Sequence, residues 1–268
     1  MALIYEKDGP VAKLGLNRPK ERNALDPEIL LDLHRAWKDV NGDDTIRVAI
    51  LYSCLPDIFC SGMDLKAAIP ILTRMREPQT EAERWLIEVG SQVGESMLKP
   101  NIVTKPVIAA IHGYCLTGGF ETVMGADLRV ASEDAVFQMR EASLGIMPIG
   151  GSNVYLTRMM TPCRGLEILL TAGNYDAKTL LEWGFLNRVV PREKLMDSAM
   201  DLASRIAANG PLAVQGIIRC WRETKDMPWP QAFDREVAIG FPVFGSQDAR
   251  EGIMAQREKR KPNFPGKY

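Results

Sequence analysis

Glu121 closes the run Ile111-His112-Gly113-Tyr114-Cys115-Leu116-Thr117-Gly118-Gly119-Phe120-Glu121, which follows the apolar stretch Pro106-Val107-Ile108-Ala109-Ala110. This order of residues predicts a short buried strand, a tight turn, and a helix that opens at Gly118-Gly119. The first N–H groups of a helix have no partner within it, and the helix dipole places partial positive charge there. Such a turn holds an anion, or an oxygen that becomes one during a reaction. Glu121 falls in the first helical turn, aimed at the same place. A carboxylate beside a preformed oxyanion site is suited to moving a proton next to a carbonyl group. Phe59-Cys60-Ser61-Gly62-Met63-Asp64-Leu65-Lys66 is a second Gly-containing turn after a strand, and a candidate source of a second backbone N–H for the same site.

The elements that must position these turns follow from the apolar periodicity. Residues 11–17 alternate as a half-buried strand, ended by Arg18-Pro19-Lys20. Asp26-Pro27-Glu28 starts a helix whose apolar face is Ile29, Leu30, Leu33, Trp37 and Val40, closed by Asn41-Gly42. Residues 48–52 form a continuous apolar run, which predicts a strand covered on both faces. Residues 69–103 mix Arg74, Arg76, Glu77, Glu81, Glu83 and Arg84 with scattered apolar positions, which favours a mobile, partly helical lid or pocket wall over core. Short strands are expected at 128–131, 135–139 and 185–190, with helices near 152–160, 163–172 and 177–183. Beyond Pro191 the spacing is helical throughout, which divides the chain into a mixed core, 1–191, and a helical region, 192–268. The strand–strand–helix rhythm of the first part suggests a coiled stack of similar turns.

Composition narrows the chemistry. The 268 residues carry a net charge of −1, with 25% charged and 46% hydrophobic residues, so no basic field advertises nucleic acid. Charges interrupt the apolar stretches well before membrane length, and Met1–Asp8 has no signal-peptide pattern, so a cytoplasmic protein is expected. Cys54, Cys60, Cys115, Cys163 and Cys220 are odd in number and lack C-x-x-C spacing; reduced thiols packed as small apolar residues fit better than disulfides or a zinc site. His34 falls mid-helix and His112 at the end of a buried strand, and both read as structural. Mechanisms built on His or a metal recede, and carboxylates come forward.

The chain resembles members of the crotonase (enoyl-CoA hydratase/isomerase) superfamily over nearly its whole length. The landmarks begin with Asn17-Arg18-Pro19-Lys20, Asn23-Ala24-Leu25 and Phe59-Cys60-Ser61-Gly62-Met63-Asp64-Leu65. They continue with Gly118-Gly119-Phe120-Glu121, Asp127, Phe137, Glu141, Leu144-Gly145 and Pro148, and end with Ala177, the run Trp183 to Val190, and Glu258-Lys259-Arg260-Lys261-Pro262. The resemblance implies an α/β fold, a spiral core of repeated ββα turns with a C-terminal helical trimerisation region, assembled as a homotrimer or a dimer of trimers. It implies an acyl-CoA thioester as substrate and no separate cofactor, since coenzyme A enters with the thioester. Carried over by position, the N–H groups of Met63 and Gly118 form the oxyanion hole, and Glu121 and Glu141 are the two catalytic glutamates. Arg22, Ala24, Asp64, Leu65, Lys66 and Lys259 are implied around the substrate, with Lys259 near the coenzyme A phosphates.

The pairing also makes chemical sense by itself. Adding water across a double bond conjugated to a thioester creates an enolate-like oxygen, and needs one group to take a proton and another to give one. Two carboxylates in a dry pocket resist double ionisation, so Glu121 is expected as base and Glu141 as acid. The chain departs from the family pattern at Met63, Thr117, Arg140, Ile149 and Gln256, which bears on acyl specificity more than on reaction class. At Thr117, in place of Gly, any requirement for positive φ would be costly. The alternatives are an isomerase or CoA lyase of the same superfamily, and an acyl-CoA- or RNA-binding protein with little turnover.

Overall fold

Apolar runs of strand length build two sheets. In chain order the strands are β1 (Leu3–Asp8), β2 (Val11–Leu16), β3 (Val48–Ser53), β4 (Ile58–Cys60), β5 (Val107–Ile111), β6 (Tyr114–Leu116), β7 (Leu128–Ser132), β8 (Val136–Gln138), β9 (Tyr175–Asp176) and β10 (Arg188–Val190). The computed structural model describes residues 1–99 and 102–268. Among these, β1-β2-β3-β5-β7-β10 form one sheet and β4-β6-β8-β9 the other. Each of the pairs β3/β4, β5/β6 and β7/β8 places one strand in each sheet. Equivalent strands of successive pairs then run parallel, β3 to β5 to β7 and β4 to β6 to β8. This is the coiled stack of ββα turns expected from the rhythm.

The expected two-sided burial of residues 48–52 holds for most of the run. Ala49 and Leu51 enter the main core, while Val48 and Ile50 pack with Leu195, Ala199 and Ala203 of the helix Leu195–Ala207. Within the main core, Phe120 meets Phe137 and Phe185 with ring centroids 5.1 and 5.2 Å apart, which seats the helix Gly118–Met124 against the four-stranded sheet. Edge contacts of this kind add to the burial of large rings.

Several elements differ from expectation. β1, unforeseen, pairs antiparallel with β2 from Leu3↔Leu16 to Asp8↔Val11. The strand expected at 185–190 begins only at Arg188, because Phe185 is a core plug: the Arg129 guanidinium stacks 4.7 Å from its ring centroid, and Arg129 Nε donates to its carbonyl at 2.7 Å. The stretch 69–103, expected as a lid or pocket wall in preference to core, contributes to the main core; Pro100 and Asn101 within it lie outside the described residues. Ile71, Ala82, Leu86, Met97, Leu98 and Val103 are buried; in the helix Glu81–Val89, Glu81 pairs with Arg35 at the surface at 2.6 Å, whereas Glu83 is buried and pairs with Arg76. Cys60 and Cys115 are buried as expected, whereas Cys54 and Cys163 are exposed.

The helices Ser152–Met159, Pro162–Thr171 and Ala177–Glu182 match expectation. The tail is helical at Leu195–Ala207, Pro211–Thr224, Trp229–Phe244 and Gln247–Arg257. Arg222 ties it to the core through Asp127 at 2.8 Å. No helix among the described residues is long and apolar enough to cross a membrane.

Candidate active site

Two loops, each just before a helix or helical turn, bring two unused backbone donors together. The first is anchored by residues far upstream. Arg18 reaches Asp26 at 3.0 Å and Asp64 at 3.2 Å, and Asn23, fully buried, donates to Ser53 Oγ and the Phe59 carbonyl, both at 2.9 Å. Leu25 N–H donates to the Gly62 carbonyl at 2.7 Å, and Asp64 N–H donates to the Leu25 carbonyl at 3.0 Å. These two bonds bracket Met63, whose own N–H has no hydrogen-bond partner among the described residues. Gly62 has φ +101, a conformation that needs glycine.

The second loop is pinned through Thr117. Its N–H donates to the Gln138 carbonyl at 2.8 Å, and its carbonyl accepts from Glu121 N–H at 2.8 Å. The next N–H, that of Gly118, is likewise unpartnered among the described residues. A Cβ built on Gly118 would sit 3.2 Å from Met63 N, so the two donors are neighbours.

Glu121 follows in the first turn of the helix Gly118–Met124 and is 4% exposed. Its Oε1 accepts from Ser152 Oγ at 2.8 Å and from Ser152 N–H at 3.2 Å. Burial raises its pKa, and the Ser152 donors and the Lys99 charge pull against that rise. Gly150 leaves room for the carboxylate, since a Cβ there would fall 2.1 Å from Oε2. Glu141 begins the 3₁₀ turn Glu141–Leu144 and is 9% exposed. Its Oε2 is buried with no hydrogen-bond partner among the described residues. Burial first, and then the nearby Glu121 charge, push its pKa up to about 7. Burial thus raises the pKa of both carboxylates, and at Glu121 the Ser152 donors and the Lys99 charge oppose that rise.

The structure places Ala24, Asp64, Arg22, Leu65 and Lys66 on or beside the Met63 loop. Asp64 has a structural task there: its Oδ1 caps the N–H groups of Lys66 and Ala67, both at 2.9 Å, while Oδ2 meets Arg18. Arg22, Leu65 and Lys66 are exposed at the rim. Lys259 is exposed after the last helix, and no hydrogen bond or ion pair joins it to the other site residues among those described. His112 Nε2 is engaged with the Leu55 carbonyl at 2.6 Å, and His34 packs on Trp85 with ring centroids 5.3 Å apart, so both are structural. Sequence reasoning missed Ser152. Its only signal is that it follows Gly150-Gly151 at a helix start, which says nothing of a partner 31 residues away.

A family model described as enoyl-CoA hydratase/isomerase matches residues 6–267. The chain is 40% identical to Enoyl-CoA hydratase EchA19 of Mycobacterium tuberculosis, over 97% of this chain and 95% of the relative. It is 34% identical to the carnitinyl-CoA dehydratase of Citrobacter koseri over 99% of both. A putative enoyl-CoA hydratase/isomerase structure from Mycobacterium abscessus superposes with a TM-score of 0.87 at 34% identity, covering 100% of both chains. An enoyl-CoA hydratase from Bacillus anthracis gives 0.89 at 29% identity, also over 100% of both. Matches of this extent carry the α/β spiral and the helical tail together: the chain belongs to the enoyl-CoA hydratase/isomerase family.

Proposed function

We propose that this enzyme adds water reversibly to a 2-enoyl-CoA thioester. The observation that carries the reading is a pair of buried carboxylates, Glu121 held by the Ser152 donors and Glu141 with its pKa pushed up to about 7, together with two N–H groups unpartnered among the described residues. Glu121 takes a proton from water as the water oxygen bonds to C3. The C2=C3 electron pair moves toward the thioester, and the oxygen that gains charge is held by Met63 N–H and Gly118 N–H. Glu141 then delivers its proton to C2, and proton exchange with solvent restores both groups. No separate cofactor enters this scheme.

Arg22 and Lys66 at the rim, and Lys259 on the tail, are positioned as cations for the coenzyme A phosphates, with Lys259 serving a neighbouring subunit's site. A homotrimer, or a dimer of trimers, is supported by the tail, where Ile217, Trp221, Phe241 and Phe244 are exposed around a cavity of about 920 Å³. Exposed aromatic surface of this kind marks an association face. The carnitinyl-CoA dehydratase relatives favour a second reading, in which the same groups work in the direction of water loss.

The test is loss of the conjugated-thioester absorbance on mixing the purified protein with crotonyl-CoA, and then with longer and branched 2-enoyl-CoAs. Hydration by the wild type, reduced about a thousandfold or more in Glu121→Gln and Glu141→Gln, is expected. Turnover of 3-enoyl-CoAs alone would give the reaction to an isomerase.

A further inference from the structure

Thr117 adopts φ +48 and ψ −121, on the side of backbone space where a β-branched residue is a steric outlier. The chain holds it there by hydrogen bonds at both its N–H and its carbonyl. Its side chain fills the space that any side chain at Gly62 would take: a Cβ on Gly62 would fall 1.6 Å from Thr117 Oγ1 and 3.0 Å from Thr117 Cβ. Gly62 and Thr117 are the residues immediately before the two donors. The peptide joining Gly62 to Met63 carries one N–H, and the peptide joining Thr117 to Gly118 carries the other. The contact between these two residues is thus a contact between the two peptide planes that aim at the substrate oxygen. The Oγ1 to Ser61 carbonyl distance is 3.5 Å, too long to be the main attachment, so the contact is one of shape.

We propose that Thr117 is a positioning residue: its side chain is a wedge against Gly62 that sets the separation and tilt of the Met63 and Gly118 N–H groups. The inference rests on reading those groups as the oxyanion hole. A glycine at 117 removes both the strain and the wedge, so the fold gains while the donor pair loosens. Such an opposition between stability and rate is what strain retained at a working site produces.

The experiment compares wild type with Thr117→Val, Thr117→Ala and Thr117→Gly in the full chain. The readouts are crotonyl-CoA hydration, thermal midpoint, and the infrared carbonyl stretch of bound butyryl-CoA labelled with ¹³C at the thioester. Thr117→Val keeps the shape and holds kcat within about threefold. Thr117→Ala and Thr117→Gly lower kcat by about tenfold, a fraction of what losing a whole donor costs, with KM within about twofold. The carbonyl stretch of the bound ester moves back toward its free value in the same two variants, and Thr117→Gly raises the thermal midpoint by about 2 °C. The proposal is overturned if Thr117→Gly keeps kcat and the carbonyl shift, or lowers the midpoint as it lowers the rate. Loss of activity in Thr117→Val would assign the effect to the hydroxyl and overturn the wedge. An inactive wild type would count against the hydratase reading alone, because the bound-ester spectrum still tests Thr117.

Discussion

Glu121 and Glu141 have the same side chain and similar burial, and the charge of one acts on the other, yet their supports are unlike. Glu121 stands on a regular helix, with two donors from Ser152 on one oxygen and a glycine at 150 that makes room for the other. Glu141 stands on a single 3₁₀ turn, and one of its oxygens is buried without a partner among the described residues. Donors favour the ionised form, and burial beside a like charge favours the protonated one. In the proposed mechanism this difference in support is what separates the base, Glu121, from the acid, Glu141. It also makes the division of labour testable, because each half of the comparison can be altered separately.

The sharpest way to break it is to watch one proton. If Glu141 serves C2, exchange of the α-hydrogen of butyryl-CoA with solvent deuterium falls about a thousandfold in Glu141→Gln and survives within about tenfold in Glu121→Gln. Deuterium NMR or mass spectrometry of recovered butyryl-CoA reads this directly. The reverse pattern exchanges the two roles while leaving the pair intact.

The raised pKa of Glu141 has a consequence for stability as well as rate. In the folded chain it keeps its proton up to about pH 7, whereas a glutamate in the unfolded chain loses it near 4.5. Between those values the folded state binds more protons, so stability is full below 4.5 and falls as pH rises through 7. The loss amounts to about 3 kcal/mol. Glu141→Gln removes it, so at pH 8 this variant is expected to melt above wild type, and at pH 4.5 close to it. Over the same range kcat/KM of the wild type declines above about pH 7 as the acid loses its proton. A melting curve for Glu141→Gln that falls with pH as steeply as wild type's would locate the titrating group elsewhere.

How much of this was legible in the sequence follows the same contrast. Glu121 was legible from local chemistry, because a buried apolar run, two glycines and a carboxylate in a first helical turn are all written within a dozen residues. Glu141 was not, since neither a periodic element nor a cap marks it; it came only with the ordered landmarks of the family. Its setting is made by packing of the turn after β8. The Met63 donor was half legible. Its turn announced itself, but Arg18 and Asn23, which hold that turn from 46 and 36 residues upstream, were visible as landmarks without their geometry. β1 and the core half of residues 69–103 were missed for a related reason, as short segments acquire their buried faces from partners that local pattern does not name.

Ser152 is where sequence and structure part most completely, and it supplies the smallest of these effects. Its hydroxyl donates to Glu121 Oε1 at 2.8 Å, and its N–H donates to the same oxygen at 3.2 Å. Ser152→Ala removes the shorter bond and leaves the backbone one, so the carboxylate is less well held without being orphaned. A donor withdrawn from the ionised form raises the pKa of the acid, which moves the acidic limb of kcat/KM to higher pH. At the optimum kcat falls on the order of fivefold, because the base remains present and Lys99 still contributes its charge. The alkaline limb, set by Glu141, stays in place. A pH–rate profile whose acidic limb alone moves would make Ser152 the residue that keeps Glu121 ionised. If both limbs move together, the two carboxylates titrate as one coupled pair, and the contrast between their supports has to be replaced by a shared proton.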